Sequence, residues 1–168
     1  MIIEQFPTRI VRIKKKIDIA HLIRDPDNQP QIWEYPINQQ DEVKRTYINL
    51  GSYQPLIFKY SLTGKKHHHR FQFHWFKSFS WLEYSKKNVT FCFTYYLFAS
   101  KPTRKSGSDI FTIKRFNCWE KVNGEKQCAF LTHLKKYPNS AYRFAIECLK
   151  NLKNQSCHFE RVVGRQTS

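Results

Sequence analysis

The chain has 168 residues and 40% hydrophobic content, one domain on the usual ~100–200 residues per domain, with enough apolar side chain for one modest core and too little for a multidomain enzyme. It carries 29 Lys and Arg against 13 Asp and Glu, a formal net charge of +16, which disfavours basic partners and favours polyanions or an acidic membrane surface. Aromatic residues make up 16% of it, as 14 Phe, 9 Tyr and 4 Trp, which excludes a disordered basic tail.

The charge is unevenly placed. Residues 1–60 hold 9 Lys/Arg and 7 Asp/Glu, whereas residues 61–168 hold 20 and 6, a net of +14. The positive field therefore belongs to the aromatic-rich part of the chain. Met1 to Pro7 shows neither the basic region nor the cleavage site of a signal peptide. No stretch approaches the ~18 apolar residues of a membrane span, so a soluble, intracellular protein with no membrane partner is expected. Arg9, Arg12, Lys14, Lys15 and Lys16 interleave with Ile10, Ile13 and Ile17; they fit a nuclear import signal and a solvated strand face equally.

Residues 1–60 read as a largely extended segment, rich in Pro, Asn, Gln and Asp, with turn chemistry at Asp25 to Pro30. The exception is a short helix from Asn38 to Leu50. There Asn38 caps, Asp41 and Glu42 sit in the first turn, Val43, Tyr47 and Leu50 share a face, and Gly51 stops the helix.

His67, His68 and His69 follow Gly64, Lys65 and Lys66 in a turn, and read either as a transition-metal tract or as a polar, basic loop. Of the forty residues 61–100, twelve are aromatic. Trp81 to Tyr84, the polar turn Ser85 to Asn88 and then Val89 to Phe98 read as a β-hairpin, with Phe91, Phe93 and Tyr95 on one face of the second strand and Cys92 and Thr94 on the other.

Lys101 to Asp109 reads as an exposed loop. Helical patterning follows, weakly over Phe116 to Val122, better over Glu125 to Lys136, and strongly from Ser140 through Ala141, Phe144, Ala145, Cys148, Leu149 and Leu152. The order predicts a small α+β fold: an aromatic-rich hairpin packed on two or three helices over residues 61–153, preceded by the extended segment 1–60. Phe159 to Ser168 carries no terminating signal, so 154–168 reads as the start of a connection to a further C-terminal region.

No catalytic constellation is present. The sequence has no Gly-rich phosphate loop, no His-Glu-x-x-His and no Gly-x-Ser-x-Gly elbow, and the acidic residues after position 60 are isolated. The five cysteines, Cys92, Cys118, Cys128, Cys148 and Cys157, form an odd set with irregular spacing, which speaks against a disulfide framework and leaves buried thiols or metal ligands.

A series of short motifs resembles a known family. Phe71-x-x-x-Trp75-Phe76, Trp81-Leu-Glu-Tyr-Ser85, Phe91-Cys92-Phe93, Tyr96-Leu-Phe98, Gly107-Ser-Asp109, Phe111-Thr112, Phe116-x-x-Trp119, His133 and Pro138-Asn-Ser-Ala141 are similar to the TTF-type zinc finger. That domain occurs in hAT-family transposases and the zinc finger MYM-type proteins derived from them, especially in plants. Asp25-Pro-x-x-x-Pro30, Ile32-x-x-Tyr35-Pro36, Arg45-x-Tyr47, Gly51-x-x-Gln54-Pro55 and the stretches Asn154 to His158 and Arg165 to Ser168 look like the segments that flank it there. The likeness spans residues 18–168.

The resemblance implies a Cys₂His₂ zinc site. Carried onto this chain, the first Cys is Cys92 and the first His is His133, but the second Cys falls on Tyr95 and the second His on Tyr142. Thr94 stands where the family has Pro. A phenol, with a reference pKa of ~10, is a poor zinc ligand at neutral pH, so a vestigial site without zinc is expected. Cys118, Cys128 and Cys148 are the candidates to rescue it, although Cys128 and His133, five residues apart, point about 140° apart on a helix.

The resemblance and the charge together imply a DNA-binding module of a transposase-derived protein, located in the nucleus. Lys114, Arg115, Lys121, Lys126, Lys135, Lys136 and Arg143 are the candidate phosphate contacts. The alternative is a protein-interaction fragment or a decayed transposon remnant, with any protein partner engaged through a further C-terminal region.

Overall fold

The computed structural model describes residues 17–64, 68–98, 111, 114–122, 128–135 and 141–166. The helices are α1 (Ile37–Leu50), α2 (Trp75–Ser78), α3 (Phe93–Phe98), α4 (Ala129–Lys135) and α5 (Ala141–Gln166). The strands are β1 (Leu62–Thr63), β2 (His69–Arg70), β3 (Leu82–Ser85) and β4 (Val89–Cys92). They form two antiparallel pairs, β1 with β2 and β3 with β4, and the fold is α+β as expected.

The β3–β4 hairpin is the centre of the molecule. Leu82 pairs with Cys92, Glu83 with Phe91, Tyr84 with Thr90 and Ser85 with Val89. Asn88 adopts the left-handed conformation at φ 61°, which asparagine tolerates better than most residues. Its N–H donates to the Ser85 carbonyl at 2.9 Å and its side chain accepts from the Tyr84 hydroxyl at 2.8 Å. All eight strand residues are buried, so the outer edges need partners of their own. The β3 edge is covered by residues 53–54: Tyr84 N–H donates to the Tyr53 carbonyl at 3.1 Å, and Gln54 Nε2 to the Leu82 carbonyl at 3.0 Å. On the β4 edge, Thr90 N–H donates to the Phe116 carbonyl at 2.8 Å and Cys92 N–H to the Phe111 carbonyl at 2.7 Å.

The second strand is shorter than the sequence pattern predicts. It ends at Cys92, and Phe93–Phe98 is a helix. The run Phe91 to Phe98 is apolar at nearly every position, so alternation and helical spacing fit it equally. Packing decides. In helical form Phe93, Tyr96 and Leu97 all reach a second core against Ile32, Tyr35, Val43 and Tyr47, which a strand would send to opposite faces.

Residues before 61 are accordingly less extended than expected. Two 3-10 turns, Ile19–His21 and Ile32–Glu34, lead into α1. That helix begins one residue before Asn38, with Pro36 in the capping position, and Asp41 and Glu42 lie beyond its first turn. It ends at Gly51, as predicted, where φ is 71° and the missing Cβ removes the strain of a left-handed residue. Tyr47 hydroxyl donates to the Ile23 carbonyl at 2.8 Å and Tyr96 hydroxyl to the Pro30 carbonyl at 3.1 Å, tying the second core to the 18–36 segment.

The main core is almost entirely aromatic. Phe71 is its hub, with ring centroids 4.9 Å from Tyr60, 5.1 Å from Trp75, 4.8 Å from Phe76, 4.7 Å from Tyr84 and 5.5 Å from Trp119. Phe130 on α4 closes the other side against Trp75, Phe79, Trp81, Phe111 and Phe116. Such tilted and edge-on pairs are worth ~0.5–1.5 kcal/mol each beyond the area they bury. The helix expected around Phe116 to Val122 is one 3-10 turn, Trp119–Lys121, because Phe116 is held instead in a bridge to Thr90. From Ala141 the last helix continues through the 154–166 stretch. The predicted loop at 101–109, the basic cluster at 9–16 and His67 lie outside the described residues.

Glu83 is 1% exposed. It accepts the Tyr53 N–H at 2.8 Å, its other oxygen is unpartnered, and burial pushes its carboxyl up to about 8 against the pull of the Tyr53 N–H and Arg24. A raised carboxyl keeps its proton in the folded state where the unfolded chain has lost it, so its contribution is present below pH 4.5 and is lost as pH rises towards 8. Glu83→Gln stays neutral and keeps the accepting oxygen. Chemical denaturation across this window should show the native chain losing on the order of 4 kcal/mol relative to the variant between pH 4.5 and 8; parallel curves would mean that Glu83 is ionised throughout.

Candidate functional site

Cys92 ends β4 and Tyr95 lies three residues on, in the first turn of α3. The backbone N–H groups of Tyr95 and Thr94 face the Cys92 sulfur. This corrects the expectation that Tyr95 lies on a strand face with Phe91 and Phe93 while Cys92 points away: the strand-to-helix turn gathers Cys92 and Tyr95 on one side. His133 comes from α4 and Tyr142 from the first turn of α5. The Tyr95 and His133 rings are 4.9 Å apart, His133 and Tyr142 5.1 Å, and Tyr95 and Tyr142 6.0 Å. Trp81, at 4.7 Å from the imidazole, and Phe111, at 4.6 Å, wall the cluster.

The four positions to which the resemblance assigns zinc ligands thus converge. Their chemistry does not suit the metal. Tetrahedral zinc takes thiolate, imidazole or carboxylate donors, and this set has one thiol, one imidazole and two phenols. Burial raises the Cys92 thiol and the Tyr95 and Tyr142 phenols, and lowers the His133 imidazole to about 4. Every shift favours the neutral side chain. His133 Nε2 is buried without a hydrogen-bond partner, so the imidazole is held by ring packing.

Cys118 is exposed, Cys128 is buried in the main core and Cys148 is half-buried. Among the described residues no three His, Cys, Asp or Glu side chains come together as a metal site, and His68 and His69 gather no further ligand.

Of the candidate phosphate contacts, Lys114, Lys121 and Arg143 are exposed. Arg115 is not free. Its guanidinium makes two hydrogen bonds to Asp27, one of them from Nη2 at 3.1 Å; the carboxylate, 2% exposed, also takes Lys87 Nζ at 2.6 Å. Together with Asp25, which accepts the Lys86 N–H at 3.1 Å, this clasps the 25–30 turn to the hairpin loop. The sequence signal was the Asp25-Pro-Asp27 turn, a concentration of carboxylates in a basic chain. Lys126, Lys136 and the side chain of Lys135 lie outside the described residues.

Comparison with protein-family models, with curated proteins and with solved structures gives no match to this chain. No helix among the described residues is long and apolar enough to cross a membrane.

Restoring the donors tests the metal reading directly. Tyr95→Cys with Tyr142→His should give a chain that takes up one zinc per molecule and melts several degrees lower with a chelator, since structural zinc contributes folding free energy. The native chain should show neither effect. A native chain that carries zinc by elemental analysis would show that another residue completes the set.

Proposed function

We propose that the chain is a nucleic-acid-binding module, contacting DNA through phosphates and catalysing no reaction itself. In this reading it is a transposase-derived protein of the nucleus whose TTF-type finger has exchanged its zinc for aromatic packing. The observation that carries the proposal is the distribution of paired and unpaired charge. Part of the acidic complement is already taken up: Glu83 is buried, the Asp27 carboxylate takes Lys87 and Arg115, and on the surface Glu147 takes Lys150 at 2.9 Å, while Glu42 and Glu120 stay exposed in a chain with more than twice as many basic residues. Among the described residues, Lys59, Lys77, Lys114 and Lys121 are exposed without an acidic partner. A field of that sign, unneutralised at the surface, attracts a polyanion. The resemblance to the transposase finger supports DNA as that polyanion.

Affinity for duplex DNA should fall linearly in log[salt], by about 0.9 per phosphate contact. Lys114→Ala with Lys121→Ala should reduce the slope by about 2. Arg115→Ala should leave the slope unchanged and destabilise the fold by ~1.5–3 kcal/mol, the cost of a lost hydrogen bond to a buried carboxylate. No duplex binding at ~50 mM salt, where phosphate contacts are strong, would overturn the proposal in favour of a protein-interaction fragment.

A further inference from the structure

We infer that the face carrying residues 56–64 and 68–77 is a platform for single-stranded nucleic acid, on which bases stack against Phe58 and Phe73 while Lys59, Arg70, Lys77 and Lys121 follow the backbone. This deepens the nucleic-acid reading above and rests on it.

Two phenyl rings of this face stand in solvent; most other described aromatic residues are buried or half-buried, and the further exposed one, Phe144, lies on α5. Phe58 is fully exposed and Phe73 is 42% exposed. They lie at one locality. Phe58 is two residues before Tyr60 and Phe73 two residues after Phe71, and the Tyr60 and Phe71 rings are packed 4.9 Å apart. Two residues reach at most about 7 Å, so the backbone positions of Phe58 and Phe73 each lie within that distance of one member of the same buried pair. Each is held from behind: Tyr60 hydroxyl donates to the Pro55 carbonyl at 2.9 Å and closes the loop that presents Phe58, while Phe73 meets Phe76 edge-on at 5.8 Å. The closed loop fixes the backbone that carries Phe58, and the packed Phe73 ring loses little further freedom on meeting a base.

The surrounding charge selects the occupant. Between Glu42 and Glu83 the sequence has seven Lys or Arg and no acidic residue. Lys59 adjoins Phe58, Lys77 lies on α2 just after Phe73, and Arg70 on β2 lies against the 3-10 turn that carries Lys121. Exposed Gln72 and His74 flank Phe73. Aromatic and cationic side chains alternate along the sequence here, at Phe58 and Lys59 and again at Arg70, Phe73 and Lys77, beside the exposed Leu56 and Leu62, and the stretch is not the one-sided apolar helix that lies in a membrane surface. Alternation matches a strand whose bases and phosphates also alternate, and stacking is available only from unpaired bases.

Labelled oligothymidylate of about 16 nucleotides, the upper site size of single-strand platforms, a hairpin duplex and phosphatidylserine vesicles are offered separately to the full chain. The native protein should bind the single strand more tightly than the duplex. Phe58→Ala should weaken single-strand binding roughly tenfold, and Phe58→Ala with Phe73→Ala about a hundredfold, from ~1–3 kcal/mol per stacked base, with duplex affinity unchanged. Phe58 touches nothing that folding needs, so the single variant stands even if Phe73→Ala lowers the melting temperature. Native protein that binds duplex but not single strand, or a Phe58→Ala variant with full single-strand affinity, overturns the platform and leaves the duplex reading intact. Vesicle binding lost in Phe58→Ala while single-strand binding persists assigns the face to a membrane and overturns it too. Failure to bind either nucleic acid overturns both proposals.

Discussion

Burying a two-stranded hairpin on both faces and both edges is a demanding constraint, and the rest of this molecule is arranged to meet it. An isolated hairpin is marginal in water, and one stripped of water must find a partner for each backbone group that its own ladder leaves out. Here residues 53–54 supply one edge and the carbonyls of Phe111 and Phe116 the other. These covering strips come from sequence positions some thirty residues before β3 and about twenty after β4. The hairpin therefore organises chain on either side of it, and neither strip has a reason to hold its course without it. Glu83 belongs to the same constraint: its carboxyl receives the Tyr53 N–H, fixing the 52–54 strip at the cost of a buried acid.

The turn from strand to helix at Cys92 follows from having two cores to fill. Leu82, Tyr84 and Cys92 pack into the aromatic core, and Phe93, Tyr96 and Leu97 into the second one with α1. A strand continued to Phe98 would send Tyr96 to the face opposite Phe93 and Leu97. With the helix, the step between residues 92 and 93 becomes the joint between the cores, and Tyr95 is left beside His133 and Tyr142.

Much of this was legible in the sequence, and the misses have physical causes. The helix ending at Gly51 was readable because a glycine stop and one apolar face agree. The hairpin was readable because a polar turn separates two aromatic runs. The end of β4 was not, since in an all-apolar run the decision falls to tertiary packing and local period is silent. The β1–β2 pair, two residues a side, is too short to leave a pattern at all. Charge counting finds Lys114 and Lys121, which are exposed, and Arg115 as well, but it cannot show the pairing of Arg115 with Asp27, 88 positions away, which leaves no local trace. The exposure of Phe58 leaves no sequence signal for a similar reason. Nothing in a single sequence distinguishes a phenyl ring in the core from one standing in solvent.

The cluster of Cys92, Tyr95, His133 and Tyr142 is hostile to a metal ion although its rings converge. Ligation needs a thiolate and free lone pairs, and the two phenols are poor donors whose rings raise the cost of any charge beside them. The thiol and phenols are pushed up and the imidazole is pushed down to about 4, in each case chiefly by desolvation. Each phenol thus acts twice: it offers no ready donor and it desolvates the donors beside it. A single Tyr95→Cys or Tyr142→His change would add a donor that burial keeps neutral beside the remaining phenol, one ligand short of a tetrahedral set. Both positions therefore have to change together before the cluster offers the four donors that zinc takes.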